Sequence, residues 1–256
     1  MSTIHPTAVV DASAEFDSGV EVGPYAVIGP GVRIGRGTRI GPHAVIHGPT
    51  RIGAENRIFQ FASVGEDPQD TKYGGEETFL EIGDGNVVRE YATLHRGTIQ
   101  DTGVTRVGNN NLFMAYTHVA HDCRIGDHVI MANAASLAGH VEVQDWAILG
   151  GFTIVHQFCR IGAHCFCAMG SVVTKDVPPF VIIGGHPAVA RGINVEGLRR
   201  RGLDNETIAC LKSAYRMLYM SNRKLEEAVD AMRTLACAEV SQLADFVADR
   251  TRSIVR

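Results

Sequence analysis

Stepping by six residues from Ile4 meets an apolar side chain every time: Ile4, Val10, Phe16, Val22, Ile28, Ile34, Ile40, Ile46, Ile52, Ile58 and Val64. The register returns at Ile82, Val88 and Leu94 and then slips by one residue. It runs on through Val107, Phe113, Val119, Ile125, Met131, Leu137, Val143, Leu149, Val155, Ile161, Cys167 and Val173. In a chain that is 45% hydrophobic, the first run alone has a chance probability on the order of one in several thousand. Six is neither a helix nor a strand period. An apolar residue, often followed by Gly (Gly29, Gly35, Gly41, Gly53, Gly83, Gly108, Gly126, Gly162), suits a short strand and a tight corner, with those glycines supplying positive φ. Three units make an 18-residue coil, and coils stack at about 4.8 Å. The pattern predicts a mainly β protein built as a hexapeptide-repeat parallel β-helix, with the left-handed coiling usual for that class.

Two stretches interrupt the repeat: the polar segment Glu66–Thr78 with its paired Gly74 and Gly75, and the segment between His95 and Arg106. Insertions in a solenoid become loops, serving as solvated decoration or as binding elements. After Pro179 the hexads stop. Asp204-Asn-Glu-Thr207 reads as a capped helix start, followed by Ile208, Leu211, Tyr215, Leu218 and Tyr219 at helical spacing. Further amphipathic stretches carry Leu225, Val229, Met232 and Leu235, then Val240, Leu243, Phe246 and Val247. The expected organisation is a β-helix over 1–190, with loops near 66–78 and 95–106, and a helical domain over 191–256 that covers the open end of the coil.

Composition divides the same way. Of 28 Gly, 26 lie at or before position 192, and all nine Pro and eleven His precede position 188. The net charge of −4 conceals −7 over residues 1–190 and +3 beyond. No basic field suggests nucleic acid, and no apolar run or N-terminal signal pattern suggests a transmembrane segment or export. Six Cys without a Cys-x-x-Cys pair fit a reduced, cytoplasmic protein. Cys165 and Cys167 are expected in the core, and Trp146 in the core or an interface. Arg199, Arg200 and Arg201 are either a solvated face or, beside a phosphorylated ligand, a clamp.

The 18-residue coil stacks Val119, Leu137 and Val155, with His118, His121, His140 and His156 beside them. The spacing predicts a ladder of His along one edge, climbing about 5 Å per coil. Two chemistries fit. One is a general base, with Asp122 fixing the tautomer of His121; because neighbours on a strand face opposite ways, that contact needs a corner or a second subunit. The other is a His-ligated zinc hydratase of the γ-carbonic anhydrase type.

The runs Gln60-Phe-Ala-Ser-Val-Gly-Glu66, Gln69-Asp-Thr-Lys-Tyr73, His95-Arg-Gly-Thr98, His118-Val-Ala-His-Asp-Cys123, Leu137-Ala-Gly-His140, Val155-His-Gln-Phe-Cys159 and Asn194-Val-Glu-Gly-Leu-Arg-Arg-Arg-Gly202 closely resemble the acyl-[acyl-carrier-protein]–UDP-N-acetylglucosamine O-acyltransferases. The resemblance extends over essentially the whole chain. It implies a homotrimer with sites between subunits, partners UDP-N-acetylglucosamine and acyl carrier protein, and transfer of an R-3-hydroxyacyl group to the sugar 3-hydroxyl, the first step of lipid A synthesis. It implies no metal and no resident cofactor, because the acyl group rides on the carrier's phosphopantetheine. His121 would be the base, Asp122 its partner, and the Gly139 N–H the oxyanion donor, a contact worth roughly 3–4 kcal/mol. Gln69, Asp70 and Lys72 would meet the sugar nucleotide; His118, His140, His156 and Gln157 would line the cleft. Asn194, Arg200 and Arg201 would reach phosphates and the carrier arm.

Met169 falls where the family's acyl groove ends, so its bulk favours a chain of about ten carbons; the alternative is a gap-filling core Met. His186 stands where the family commonly has Asn. The related N-acyltransferase of the same pathway carries an N-terminal uridine-binding domain, for which hexads starting at Ile4 are expected to leave no room.

Overall fold

In a computed structural model the chain is described from Ser2 to Arg256. Most hexads form a two-residue strand ending on the apolar position, as in Val27–Ile28, Arg39–Ile40, Arg124–Ile125 and Ile148–Leu149. Successive strands enter three sheets in turn, called here A, B and C, with 11, 9 and 8 strands among the described residues. Pairing is parallel and in step: Ile4 with Val22, Val22 with Ile40, Ile40 with Ile58. The hexad side chains point inward, and Ile28, Ile46, Ile52, Leu94, Leu137 and Ile161 are fully buried. The first coil, with no coil beneath it, is the exception: Ile4 is 42% exposed and Val10 and Phe16 are half-buried.

The corner glycines correct the expectation from sequence. Positive φ falls two residues later, mostly on large side chains such as Tyr91, Tyr116, His140, Trp146 and Phe158. The glycines that follow the apolar position on sheet C instead allow close approach of coils. A Cβ on Gly35 would lie 2.5 Å from the Gly53 carbonyl carbon, and one on Gly162 would lie 2.3 Å from the Pro179 nitrogen. The left-handed corners align side chains from coil to coil. Tyr25, His43, Phe61, Tyr91 and Tyr116 stack at 4.9–5.3 Å between sheets A and B.

A buried amide column runs beside the turn from sheet C to sheet A. Asn56 Oδ1 accepts the Asn86 N–H at 2.8 Å, Asn86 Oδ1 that of Asn111 at 2.9 Å, and Asn111 Oδ1 that of Val129 at 2.6 Å. Each Nδ2 donates to a corner carbonyl, that of Gly83, Gly108 or Gly126. Unpaired, such buried amides would cost about 1–3 kcal/mol each.

Both insertions leave the coil at one corner, between sheets B and C. The first joins Ser63–Glu66 to Phe79–Ile82, and the second joins Thr93–His95 to Val104–Val107. Ile52 still pairs with Ile82, and Ile82 with Val107.

The hexad pattern ends in a hairpin that the period did not disclose. Val181–Gly185 extends sheet A in parallel with Phe166–Cys167 and turns back antiparallel as Ala188–Ile193. The division placed at 190/191 falls within that second strand. Four helices follow: α1 Val195–Arg200, α2 Asn205–Tyr219, α3 Leu225–Arg233 and α4 Ala238–Ala248. Asp204 caps α2, accepting from the Thr207 N–H at 2.7 Å. Cys165 and Cys167 are buried. Trp146 is neither core nor fully free: it is 37% exposed and stacked on His128 at 4.1 Å.

Gly35→Ala is expected to lower stability by about 1–3 kcal/mol through overpacking between coils, read as a lower urea midpoint at unchanged m-value.

Candidate functional site

The corner that carries the insertions also carries the His residues. Asp122 adopts φ +60°, which breaks the strand alternation and turns its carboxylate back toward His121. His121 Nδ1 lies 2.8 Å from Asp122 Oδ2. Of the two routes to this contact that strand alternation leaves, a corner or a second subunit, the corner supplies it within one chain. An Nδ1–H given to the carboxylate leaves the Nε2 lone pair as the free base.

Asp122 is 2% exposed, and both of its carboxylate oxygens are hydrogen-bonded. It also accepts the Thr98 N–H at 2.8 Å and the Thr98 hydroxyl at 2.6 Å, while its own N–H donates to Thr105 Oγ1 at 2.8 Å. Burial alone would raise its pKa, but the hydrogen bonds from His121 and Thr98, with His140 nearby, hold the carboxyl below the usual range.

Gly139, one coil above, presses on the His121 ring; a Cβ there would lie 2.5 Å from Cε1. Its N–H donates to no backbone acceptor among the described residues, so an unengaged amide borders the imidazole. His140 meets His121 edge-on at 5.1 Å, stacks on Phe158 at 4.3 Å, and places Nδ1 3.4 Å from Asp101. Asp101 is itself gripped by Arg124 through two contacts of 3.0 Å.

The expected ladder is two His pairs rather than one column. His118 bonds Thr93 Oγ1 at 2.7 Å and meets His95 edge-on at 5.0 Å; its pKa is lowered by burial and by the His121 charge. Burial, with the neighbouring His118, takes His95 down to about 4. His156 lies apart, exposed, with Nδ1 3.0 Å from the carbonyl of the likewise exposed Gln157.

Gln69 and Lys72 are exposed on the first loop, and Asp70 accepts the Lys72 N–H at 2.9 Å. Asn194 is buried and occupied: it caps α1 through the Gly197 N–H at 3.2 Å and donates to the His164 carbonyl at 3.0 Å. Arg201 lies over Trp146 at 5.4 Å with Nη1 3.3 Å from His164 Nδ1. Arg200 is exposed, paired with Glu196 at 3.0 Å. Met169 is 78% exposed, which removes the gap-filling reading. His186 is exposed in the hairpin turn. Within one chain these residues do not gather around His121.

Reasoning from sequence missed Thr98, Asp101, Thr93, His95 and Phe158 as partners. The long step from Leu94 to Val107 pointed toward His95, Thr98 and Asp101, whereas Thr93 and Phe158 lie outside it. Cys123, next to Asp122, is no nucleophile: burial pushes its thiol up to about 12. His121, Asp122 and His140 offer donor atoms within 4.8 Å of one another, the one such grouping among the described residues with the makings of a metal site. Thr98 and His121 already take three of the roughly four lone-pair sites of the Asp122 carboxylate.

Comparison with known proteins bears on the whole chain. Residues 176–255 match the family described as Udp N-acetylglucosamine O-acyltransferase; Domain 2, and residues 105–139 match bacterial transferase hexapeptide (six repeats). The acyl-[acyl-carrier-protein]–UDP-N-acetylglucosamine O-acyltransferase of Thiobacillus denitrificans is 60% identical, with all of both chains covered. That of Pseudomonas paraeruginosa is 56% identical with the same coverage. Among solved structures, LpxA from Acinetobacter baumannii is 48% identical at TM-score 0.97, covering 99% of each chain. The UDP-N-acetylglucosamine acyltransferase of Bacteroides fragilis is 40% identical at TM-score 0.97, covering 99% of this chain and 100% of that one.

His95, depressed by burial, binds a proton more readily unfolded than folded. Its contribution to stability is therefore full above about 6.5 and is lost as pH falls toward 4. His95→Gln is expected to flatten the stability-pH curve over that window in chemical denaturation.

Proposed function

The chain belongs to the acyl-[acyl-carrier-protein]–UDP-N-acetylglucosamine O-acyltransferases, and we propose that it transfers an R-3-hydroxyacyl group from acyl carrier protein to the 3-hydroxyl of UDP-N-acetylglucosamine, opening lipid A synthesis in the cytoplasm. The observation that carries this reading is a carboxylate-held imidazole with a free amide against its ring. His121 Nε2 takes the proton of the 3-hydroxyl as its oxygen attacks the thioester carbonyl. The new C–O bond places negative charge on the carbonyl oxygen, which the Gly139 N–H stabilises. Collapse breaks the C–S bond, and the departing thiolate of the carrier takes the proton from the His121 imidazolium. Asp122, kept ionised by its hydrogen bonds, supports that imidazolium throughout. The reaction draws on no resident cofactor.

His118, His140, His156 and Gln157 line the cleft in this reading. Gln69, Asp70 and Lys72 meet the sugar nucleotide, and Asn194, Arg200 and Arg201 serve the phosphates and carrier arm. For Asn194 the buried capping geometry limits that role to its α1 neighbourhood. The loop and helix groups make no contact with His121 within one chain, which favours a homotrimer, with each site completed by a second copy. The outward row Val87, Leu112, Ile130, Ile148, Phe166 and Ile182 on sheet A is half-buried in one protomer, an apolar strip suited to subunit contact. Met169, exposed in one chain, becomes the end of an acyl groove only when a neighbour covers it.

The test is an assay of UDP-N-acetylglucosamine with 3-hydroxyacyl carrier proteins of graded length. A preference near ten carbons is expected, and Met169→Gly should shift it to longer donors; an unchanged preference removes Met169 as the ruler. His121→Ala should lower kcat by about 10²–10⁴-fold with the fold intact by circular dichroism. Near-normal transfer by that variant would refute the general-base role.

A further inference from the structure

The first loop bears the residues proposed to meet the sugar nucleotide, yet few hydrogen bonds tie it to the coil. Between Asp67 and Glu77, hydrogen bonds run mainly among the loop's own groups: Lys72 N–H to Asp70, Tyr73 N–H to the Asp70 carbonyl, and Gly74 N–H to Glu76. The Tyr73 hydroxyl reaches the Glu76 carbonyl at 2.9 Å and Asp67 Oδ1 at 3.4 Å. Among the described residues, the coil's hold on this stretch beyond Asp67 is one hydrogen bond: Arg96 Nη2 donates to the Tyr73 hydroxyl at 3.1 Å.

Arg96 is well placed to act as the anchor. It opens the second insertion, next to His95, and is only 7% exposed. Nη1 donates to the carbonyls of Gly48 at 2.8 Å and Gly65 at 2.7 Å, and Nη2 also pairs with Asp67 at the loop's base. One planar guanidinium thus joins the corner at Gly48 and the strand Ser63–Glu66 to both ends of the Asp67–Tyr73 segment. A lysine ammonium, a single point charge, has no fork to span these acceptors.

We propose that Arg96, acting through Tyr73, is a positioning residue that holds the 67–78 loop in the conformation that receives the acceptor. The inference rests on the acceptor reading of Gln69, Asp70 and Lys72. It assigns the second insertion two separate tasks: Thr98 steadies the Asp122–His121 pair, and Arg96 steadies the acceptor loop.

The experiment measures steady-state kinetics and amide hydrogen exchange on the full-length protein, wild type beside Tyr73→Phe, Arg96→Lys and Thr98→Val. Tyr73→Phe removes one loop hydroxyl, so folding is not at issue. It should raise KM for UDP-N-acetylglucosamine about 5-fold and Arg96→Lys 10-fold or more. For both, kcat and KM for the acyl donor should stay within about 2-fold. Thr98→Val should lower kcat and leave the acceptor KM unchanged. Exchange over 67–78 should quicken in the Tyr73 and Arg96 variants and stay at the wild-type rate in Thr98→Val. Unchanged acceptor KM, or unchanged loop exchange, in Tyr73→Phe overturns the proposal. A wild-type protein without transfer to UDP-N-acetylglucosamine overturns the functional reading instead, and the exchange result still decides whether Arg96 and Tyr73 hold the loop.

Discussion

Parallel in-step stacking of coils is the constraint from which the rest of the molecule follows. Once Ile40 is paired with Val22 on one side and Ile58 on the other, every outward and corner residue has its neighbour fixed as well. Inward positions become an unbroken apolar column. Corner positions become columns of another kind, where side chains at positive φ stack ring on ring. Glycine is then demanded where one coil's backbone presses on the next, a steric condition independent of the turn's own geometry.

The functional corner is a local exception to this regularity. Two insertions emerge at the same edge, and the second supplies Thr98 to Asp122 and Asp101 to His140. A buried carboxylate is costly unless its oxygens are filled; here two donors from Thr98 and one from His121 fill those of Asp122. The regular coil brings His121, Gly139 and His140 within reach, and the irregular loop fixes their electrostatics.

The hexad period disclosed the coil and its apolar positions because burial repeats with the backbone, and Asp204 announced α2 through its capping chemistry. The edge shared by His118, His121 and His140 followed from an 18-residue count. What the count could not reach was orientation. His118 turns to Thr93 and His95, His156 lies alone, and Trp146 stacks on a corner histidine. These depend on side-chain torsions and on loop residues with no period. The closing hairpin was likewise hidden, since its two strands pair antiparallel and carry no six-residue rhythm.

The asparagine column has a significance beyond satisfying buried amides. Its links join residues 30, 25 and 18 positions apart, so it spans the very coils where the count is broken by inserted chain. At those levels hydrophobic burial tolerates a mis-threaded coil, because one apolar side chain substitutes for another. An amide that must receive one N–H and deliver its own protons to particular corner carbonyls does not. The column works as an indexing pin: it lets loops of unequal length be spliced into a repeating scaffold while the turns above them resume in phase.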